Sequence, residues 1–437
     1  MNKIITLAIA FLLFIPFASI NGNNIALTNS TNGNILYVGG SGENNYTTIQ
    51  NAINYAEDGF TIYVYPRNYN ESIVINRSIS LIGIEQNGEK PVIHGNENNI
   101  TVLIEADNCT IRNFIIMEGF VGLETRNASF ITIENNVIEG AGVGMEIYSS
   151  NTLIRNNTVT KSKGIGIYMD PIAFTISLTG NFISQNGWSG AELHGDNHII
   201  SYNNVTGNLH GIELYFASDC IISFNHVYFN QQYGICVDTS TNVSILNNTI
   251  HNHAYGGLQL MDCSNCTVSG NEIYYNDRGI IMDGSYRMPW TKSHDNIISG
   301  NNVYSNSDIG MYLEDSRENY IIKNNFINNG MNAYFSLFIE TDDPNPPRPI
   351  HNTWDNNYWS DWSLPTPKPI KGELEISIPL LGNYHGVNFH WFMFDKHPAL
   401  EPYGNFTYKN MADRVMQVKK IFIIHLFTSS LQENMHC

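Results

Sequence analysis

Glu192, His194 and Glu213 are the residues of this chain on which chemistry is most readily built. The two glutamates lie 21 positions apart, inside the similar segments SGAELHG and HGIELYF. If each segment is a β-strand and the strands stack in register, the carboxylates become neighbours about 4.8 Å apart. At an effective dielectric near 20, such a pair repels by roughly 3–4 kcal/mol, so solvent, a shared proton, a cation or a substrate must relieve it. A separation near 5 Å is also compatible with the acid and nucleophile of a retaining glycosidase. Glu192, Glu213 and His194 are therefore the candidate catalytic residues. Calcium is the cofactor that paired carboxylates could hold; no residue is assigned as a metal ligand.

The same pattern recurs as GVGMEIY, GIGIYMD, YGICVDT, GGLQLMD, RGIIMDG and IGMYLED. Glycine marks a corner, and the alternation after it sends one side chain inward and the next outward. Aligned on the corner glycine of each turn, the first outward column runs Glu146, Gly166, Glu192, Glu213, Cys236, Gln259, Ile281 and Tyr312. The second runs Tyr148, Tyr168, His194, Tyr215, Asp238, Met261, Asp283 and Glu314, with Asp170 and Asp196 one step further out. Glu146, Tyr148, Tyr168, Asp170, Asp196, Tyr215 and Asp238 are thus candidate substrate-binding residues: acids for hydroxyl groups, and flat rings for sugar faces. These columns contain no Arg or Lys, which argues against a uronan lyase. The competing reading is a solvated polar face, in which acids keep the sheet soluble and tyrosine favours strand. The insertion SYRMPWTKSH is expected to place Arg287, Trp290 and Lys292 at the edge of this face.

What positions these residues is an internal repeat. The motif of an apolar residue, two residues, Asn, one residue and an apolar residue recurs at Asn113, Asn136, Asn157, Asn181, Asn203, Asn225, Asn248, Asn271, Asn301 and Asn324. The intervals are 21 to 24 residues, with one of 30. A second series follows at Asn186, Asn208, Asn230, Asn276, Asn306 and Asn329. A period near 22 with short β-rich pieces predicts an all-β, single-stranded right-handed parallel β-helix of about ten or more rungs. The asparagines are read as structural: Asn tolerates a left-handed corner, and its amide can bond the amide of the next turn. Acceptor sequences N-x-S/T at Asn156 and Asn247 are expected to be hidden by this ladder, and Asn70 and Asn405 to be open.

The organisation is read as residues 1–22 signal peptide, 23–100 N-terminal cap and first rungs, 101–340 repeats, 341–403 aromatic-rich C-terminal cap, and 404–437 an unassigned tail. Lys3 followed by an apolar run to Phe17 fits a secretory leader and is short for a bilayer span, the alternative being an uncleaved segment that anchors the chain to the membrane. Thr47-x-x-Gln50 predicts a capping box opening a helix that covers the coil's N-terminal end. The net charge of −18 argues against nucleic acid, an anionic membrane surface or an unmediated polyanionic sugar. Six cysteines do not form a dense disulfide framework, and Cys263-x-x-Cys266 reads as a local disulfide or buried thiols.

The stretch ILYVGGSGENNYTTIQNAINYAEDGFTIYVYPRNYNESIVINRSISLIG resembles the opening segment of NosD-type, pectate-lyase-like β-helix proteins. NTWDNNYWSDW resembles their close, and FDKHPALEPY is most similar to secreted euryarchaeal β-helix surface proteins. The likeness spans roughly residues 35–403, with Phe60 standing where Asp is usual and Arg67 where Gly is common. It implies the fold, and a function anywhere among sugar lyases, hydrolases, epimerases, surface modules and copper-handling accessory proteins. Met169-Asp170-Pro171-Ile172 lacks the histidine of the D-P-H-D signature of mannuronan epimerases.

The leading expectation is a secreted or cell-surface protein that binds extracellular polysaccharide, and processes it if it is a hydrolase, lyase or epimerase. One alternative is a non-catalytic structural or adhesive module. Another is a copper-handling accessory using His251, His253, Met261, Cys263 and Cys266, residues expected to straddle different sides of the coil.

Overall fold

The computed structural model describes residues 34–42, 45–283, 292–340, 351–380 and 383–404. The proposed leader, Arg287, Trp290, Asn405, Cys437 and the tail beyond Gly404 lie outside them. Within them the chain winds into a parallel β-helix with three strands per turn. One turn comprises Ser189–His194, Ile199–Ser201 and Asn204–Thr206, and the next begins at His210–Tyr215. The third strands alone stack into a thirteen-stranded parallel sheet. The repeat count of ten or more therefore extends to about thirteen turns, because the first two turns lack the asparagine motif and the last, which carries it at Asn357, was assigned to the C-terminal cap.

The core is a set of aliphatic columns. Ile133, Ile154, Leu178, Ile200, Ile222, Ile245, Val268, Ile298 and Ile321 lie one above another in register, and the column closes on Trp354. All are buried. Each contributes about 1.5–3 kcal/mol by leaving water, and the sum fixes which alternate residue of every strand faces inward.

The glycines at the head of the first strands, read from sequence as corners, serve close approach between turns. A Cβ on Gly211 would lie 2.3 Å from the carbonyl oxygen of Gly234, and one on Gly234 would lie 2.5 Å from that of Gly257.

The asparagine ladders are present, with one correction. The corner and the ladder are held by adjacent residues. Asn135, Asn156 and Asn247 occupy the left-handed region at φ 54–56°, while Asn136, Asn157 and Asn248 are buried and carry the hydrogen bonds. Asn113 belongs to the first group, with φ 64°. Phe114 occupies the ladder position and donates its backbone N–H to Asn136 Oδ1 at 3.0 Å. Consequently Asn156 and Asn247 are exposed, contrary to the expectation that the ladder hides them. The second ladder is continuous because His253 fills its gap: Asn230 N–H donates to His253 Nδ1 at 3.3 Å, and His253 N–H to Asn276 Oδ1 at 3.0 Å. A third ladder, Cys266–Asn296–Asn319–Asn352, was not anticipated.

Both ends are capped. The helix Ile49–Tyr55 takes Thr48, not Thr47, as its N-cap. Its first two N–H groups, on Ile49 and Gln50, donate to the Glu71 carboxylate at 2.8 and 3.1 Å. Gln50 instead pairs with the backbone of Val74 through both ends of its amide, at 2.7 and 3.3 Å. At the far end an antiparallel hairpin, Lys368–Leu380 with Asn383–Asp395, closes the coil. Asp395 Oδ2 terminates the first ladder by accepting from Asn357 N, Asn357 Nδ2 and Trp359 Nε1 at 2.9, 3.0 and 2.9 Å.

Candidate functional site

The first strands stack so that Glu192 and Glu213 are direct neighbours, as their spacing predicts. One turn is misplaced by the glycine alignment. Tyr168, not Gly166, pairs with both Glu146 and Glu192, so it belongs to the first outward column. Asp170, by continuation of that register, joins Tyr148 and His194 in the second. Asp196 leaves the face altogether: it sits in the turn after the strand, where Oδ1 accepts from Ser218 N–H at 2.7 Å.

The repulsion between the glutamates is relieved by partners that sequence did not supply. Glu213 is only 4% exposed. Its Oε1 accepts from the Tyr215 hydroxyl at 2.9 Å and lies 3.7 Å from His210 Nδ1. Its Oε2 accepts from the Ser189 hydroxyl. Glu192 remains more open, with Oε1 3.4 Å from His194 Nε2. His194 stacks on Tyr215 with ring centroids 5.4 Å apart and meets Tyr168 edge-on at 5.7 Å.

Ser189, His210 and Tyr233 form a further column at the head of the strands that the sequence reading missed. Its signal was present as polar and aromatic residues preceding the repeated glycine. His210 stacks on Tyr233 at 5.8 Å and faces the exposed Trp188 at 6.3 Å. The two glutamates are thus flanked by rings on both sides: Tyr168, His194 and Tyr215 on one, Trp188, His210 and Tyr233 on the other.

The face extends along the coil with changing character. Toward the N-terminus, Tyr148 donates to Glu146 Oε2 at 3.3 Å, and Tyr168 to Asp170 Oδ2 at 3.4 Å. Burial, then the charge of buried Glu124, raises the Glu146 carboxyl above its ordinary range. Burial, then Glu146, pushes the Tyr148 hydroxyl up to about 12. Toward the C-terminus, Cys236 Sγ donates to Gln259 Oε1 at 3.4 Å, and Gln259 Nε2 donates to Asp283 Oδ2 at 2.8 Å. Burial raises Asp238, and raises Asp283 to about 6 against the opposing hydrogen bond from Gln259.

Basic residues are present after all, but committed. Arg126, beside Tyr148, is ion-paired to Glu124. Arg278 pairs with Asp308 at 3.2 Å and lies over Tyr255 and Tyr312 at 5.5 and 5.0 Å. Lys292, at the edge of this region, is paired with Asp315.

Metal binding is poorly supported by the donor set. The Glu213 oxygens that would hold calcium are already engaged by Tyr215 and Ser189. Among the described residues no group of three or more His, Cys, Asp and Glu converges on a common point. The soft-ligand set is dispersed: Met261 lies on the acidic face, Cys263, Cys266 and His253 are interior, and His251 stacks between Tyr228 and Tyr274 on the third sheet at 5.6 and 4.7 Å. Cys263 and Cys266 are buried free thiols.

No curated protein matches the chain significantly. Among solved structures, the A-module of Azotobacter vinelandii mannuronan C-5 epimerase AlgE6 aligns at 16% identity, covering 65% of this chain and 89% of that one, with a TM-score of 0.57. The catalytic domain of a GH87 α-1,3-glucanase aligns at 12% identity over 70% and 67%, with a TM-score of 0.55. A Yersinia enterocolitica family 28 exopolygalacturonase aligns at 10% identity over 66% and 73%, with a TM-score of 0.52. At these identities the likeness is one of fold. The family model described as "right handed beta helix region" matches residues 82–209 and 189–358, most of the coil, and with the three-stranded turns and register above it places this chain in the right-handed β-helix family.

Proposed function

We propose that this protein is exported and binds a neutral extracellular polysaccharide along its acidic face, centred on Glu192, His194 and Trp188. The observation that carries this reading is the pair of in-register glutamates bracketed by rings on both sides. Carboxylates accept from sugar hydroxyls, and ring faces cover the apolar faces of pyranoses. Three structural neighbours bear names of enzymes that act on polysaccharides, which supports a glycan partner. The uncompensated carboxylates and the net charge of −18 favour a neutral chain over a polyanion.

In this reading Glu192 and His194 touch the ligand, while buried Glu213 positions Tyr215 and His210. A processing activity has one supporting observation, the accessible Glu192–His194 pair at 3.4 Å, which has the residue types of a general acid and base. The test is binding of the full chain to a panel of neutral and acidic polysaccharides, with reducing-end release measured in parallel. Trp188→Ala and Glu192→Gln should each weaken binding at least tenfold without changing the circular dichroism. Unaltered binding in both variants, or a preference for polyuronates, would overturn the assignment. Release abolished by Glu192→Gln separates an enzyme from a lectin.

A further inference from the structure

We propose that the corners of the coil are N-glycosylated, at Asn108, Asn127, Asn156, Asn242, Asn247 and Asn265, leaving the acidic face bare. Each of these asparagines stands two residues before a hydroxyl residue: Thr110, Ser129, Thr158, Ser244, Thr249 and Thr267, with no intervening proline. That is the acceptor sequence for transfer of an oligosaccharide to asparagine.

The structure adds what sequence could not. All six asparagines are exposed and lie in the left-handed region at φ 49–55°. Asn242 Nδ2 donates to Asp219. Among the described residues the side-chain amides of the other five make no hydrogen bond, so their nitrogens are available to react. They are therefore unlike Asn157 and Asn248, whose amides are locked in the ladder one residue away.

Neither half of the acceptor sequence is required by the coil. At the corner that holds Asn156 and Asn247, other turns use Gly180, Gly270 or Gly300. At the strand position of Thr158 and Thr249, other turns carry Val137, Phe182, His226 and Glu272. The distribution is also one-sided: the first strands from Val121–Thr125 to Ile309–Glu314, which present the acidic face, contain no asparagine.

In the reaction, Nδ2 loses a proton to solvent and bonds to the anomeric carbon of a lipid-phosphate-linked oligosaccharide. The bond from that carbon to the phosphate oxygen breaks, and the lipid phosphate leaves with the electron pair. Geometry restricts the outcome further. Asn242 and Asn265 follow the bridged pair Thr241 and Ser264 on adjacent turns, so their backbones are about 4.8 Å apart. Two glycans do not fit side by side at that spacing, and one of the pair is modified in any molecule.

The proposal rests on export and is independent of what the acidic face binds. The test is glycopeptide mass spectrometry on the full chain isolated from the medium or surface of its own host. Expected are oligosaccharide adducts on the Asn156 and Asn247 peptides, and none on Asn157 or Asn248. Single but never double occupancy is expected across Asn242 and Asn265. An Asn156→Gln/Asn247→Gln double variant should lose the adduct mass while keeping its circular dichroism. Six unmodified peptides, adducts on Ser or Thr instead, or a chain retained inside the cell would each overturn it.

Discussion

Replacing Asn248 by glycine should unfold the coil far more readily than the same replacement at its neighbour Asn247. Asn248 Oδ1 accepts from the backbone and side-chain amides of Asn225 at 2.9 and 3.0 Å. Its Nδ2 donates to Asn271 Oδ1 and the Ile222 carbonyl at 3.0 and 2.9 Å. All three asparagines are buried. Truncation strands two buried donors of Asn225, each at a cost of about 1–3 kcal/mol, for roughly 2–6 kcal/mol in all. The extra backbone freedom of glycine in the unfolded chain adds about 0.5–1 kcal/mol. Asn247 is exposed at φ 55°, a conformation glycine adopts without penalty, so its replacement should change stability by less than about 0.5 kcal/mol. Urea unfolding followed by far-ultraviolet circular dichroism measures the difference. Equal midpoints for the two variants, or a costlier change at Asn247, would refute the division of labour between corner and ladder.

Acid should weaken the fold through two buried histidines. Burial lowers His251 to about 3 and His253 to about 4, from an ordinary value of 6.5. Because both are depressed, their contribution is intact above pH 6.5 and is lost as pH falls toward 4 and then 3. At pH 5 the loss is about 2 kcal/mol per histidine. The urea midpoint should drop between pH 7 and 5, and a His251→Phe variant should drop less; an equal drop in both would rule His251 out. Asp283 has the opposite sign: its carboxyl is raised to about 6 from 3.8, so folding weakens as pH rises through that window. Asp283→Asn should therefore stabilise the protein at pH 7.5 by about 3 kcal/mol and have little effect at pH 3.5. Stabilisation of the same size at both pH values would contradict the assignment.

The sequence alone determined the coil, because its two periods are short-range consequences of physics. Alternation of two places side chains in and out, and the return of Asn near every 22 residues marks each turn. Three things needed tertiary structure. In GIGIYMD two glycines stand two positions apart, and a shift of two residues preserves the alternation, so only packing decided that Gly166 stacks with Gly190 and Tyr168 with Glu192. In Asn247-Asn248 and its counterparts two identical residues divide corner and ladder between them, a division set by backbone φ and burial. The setting of Glu213 depends on Ser189, a full turn away in the chain, and on His210, which precedes the glycine used to align the repeat. Stacking turns about 4.8 Å apart is what brings such residues together, and no spacing rule along the chain records which column of one turn reaches across to the next.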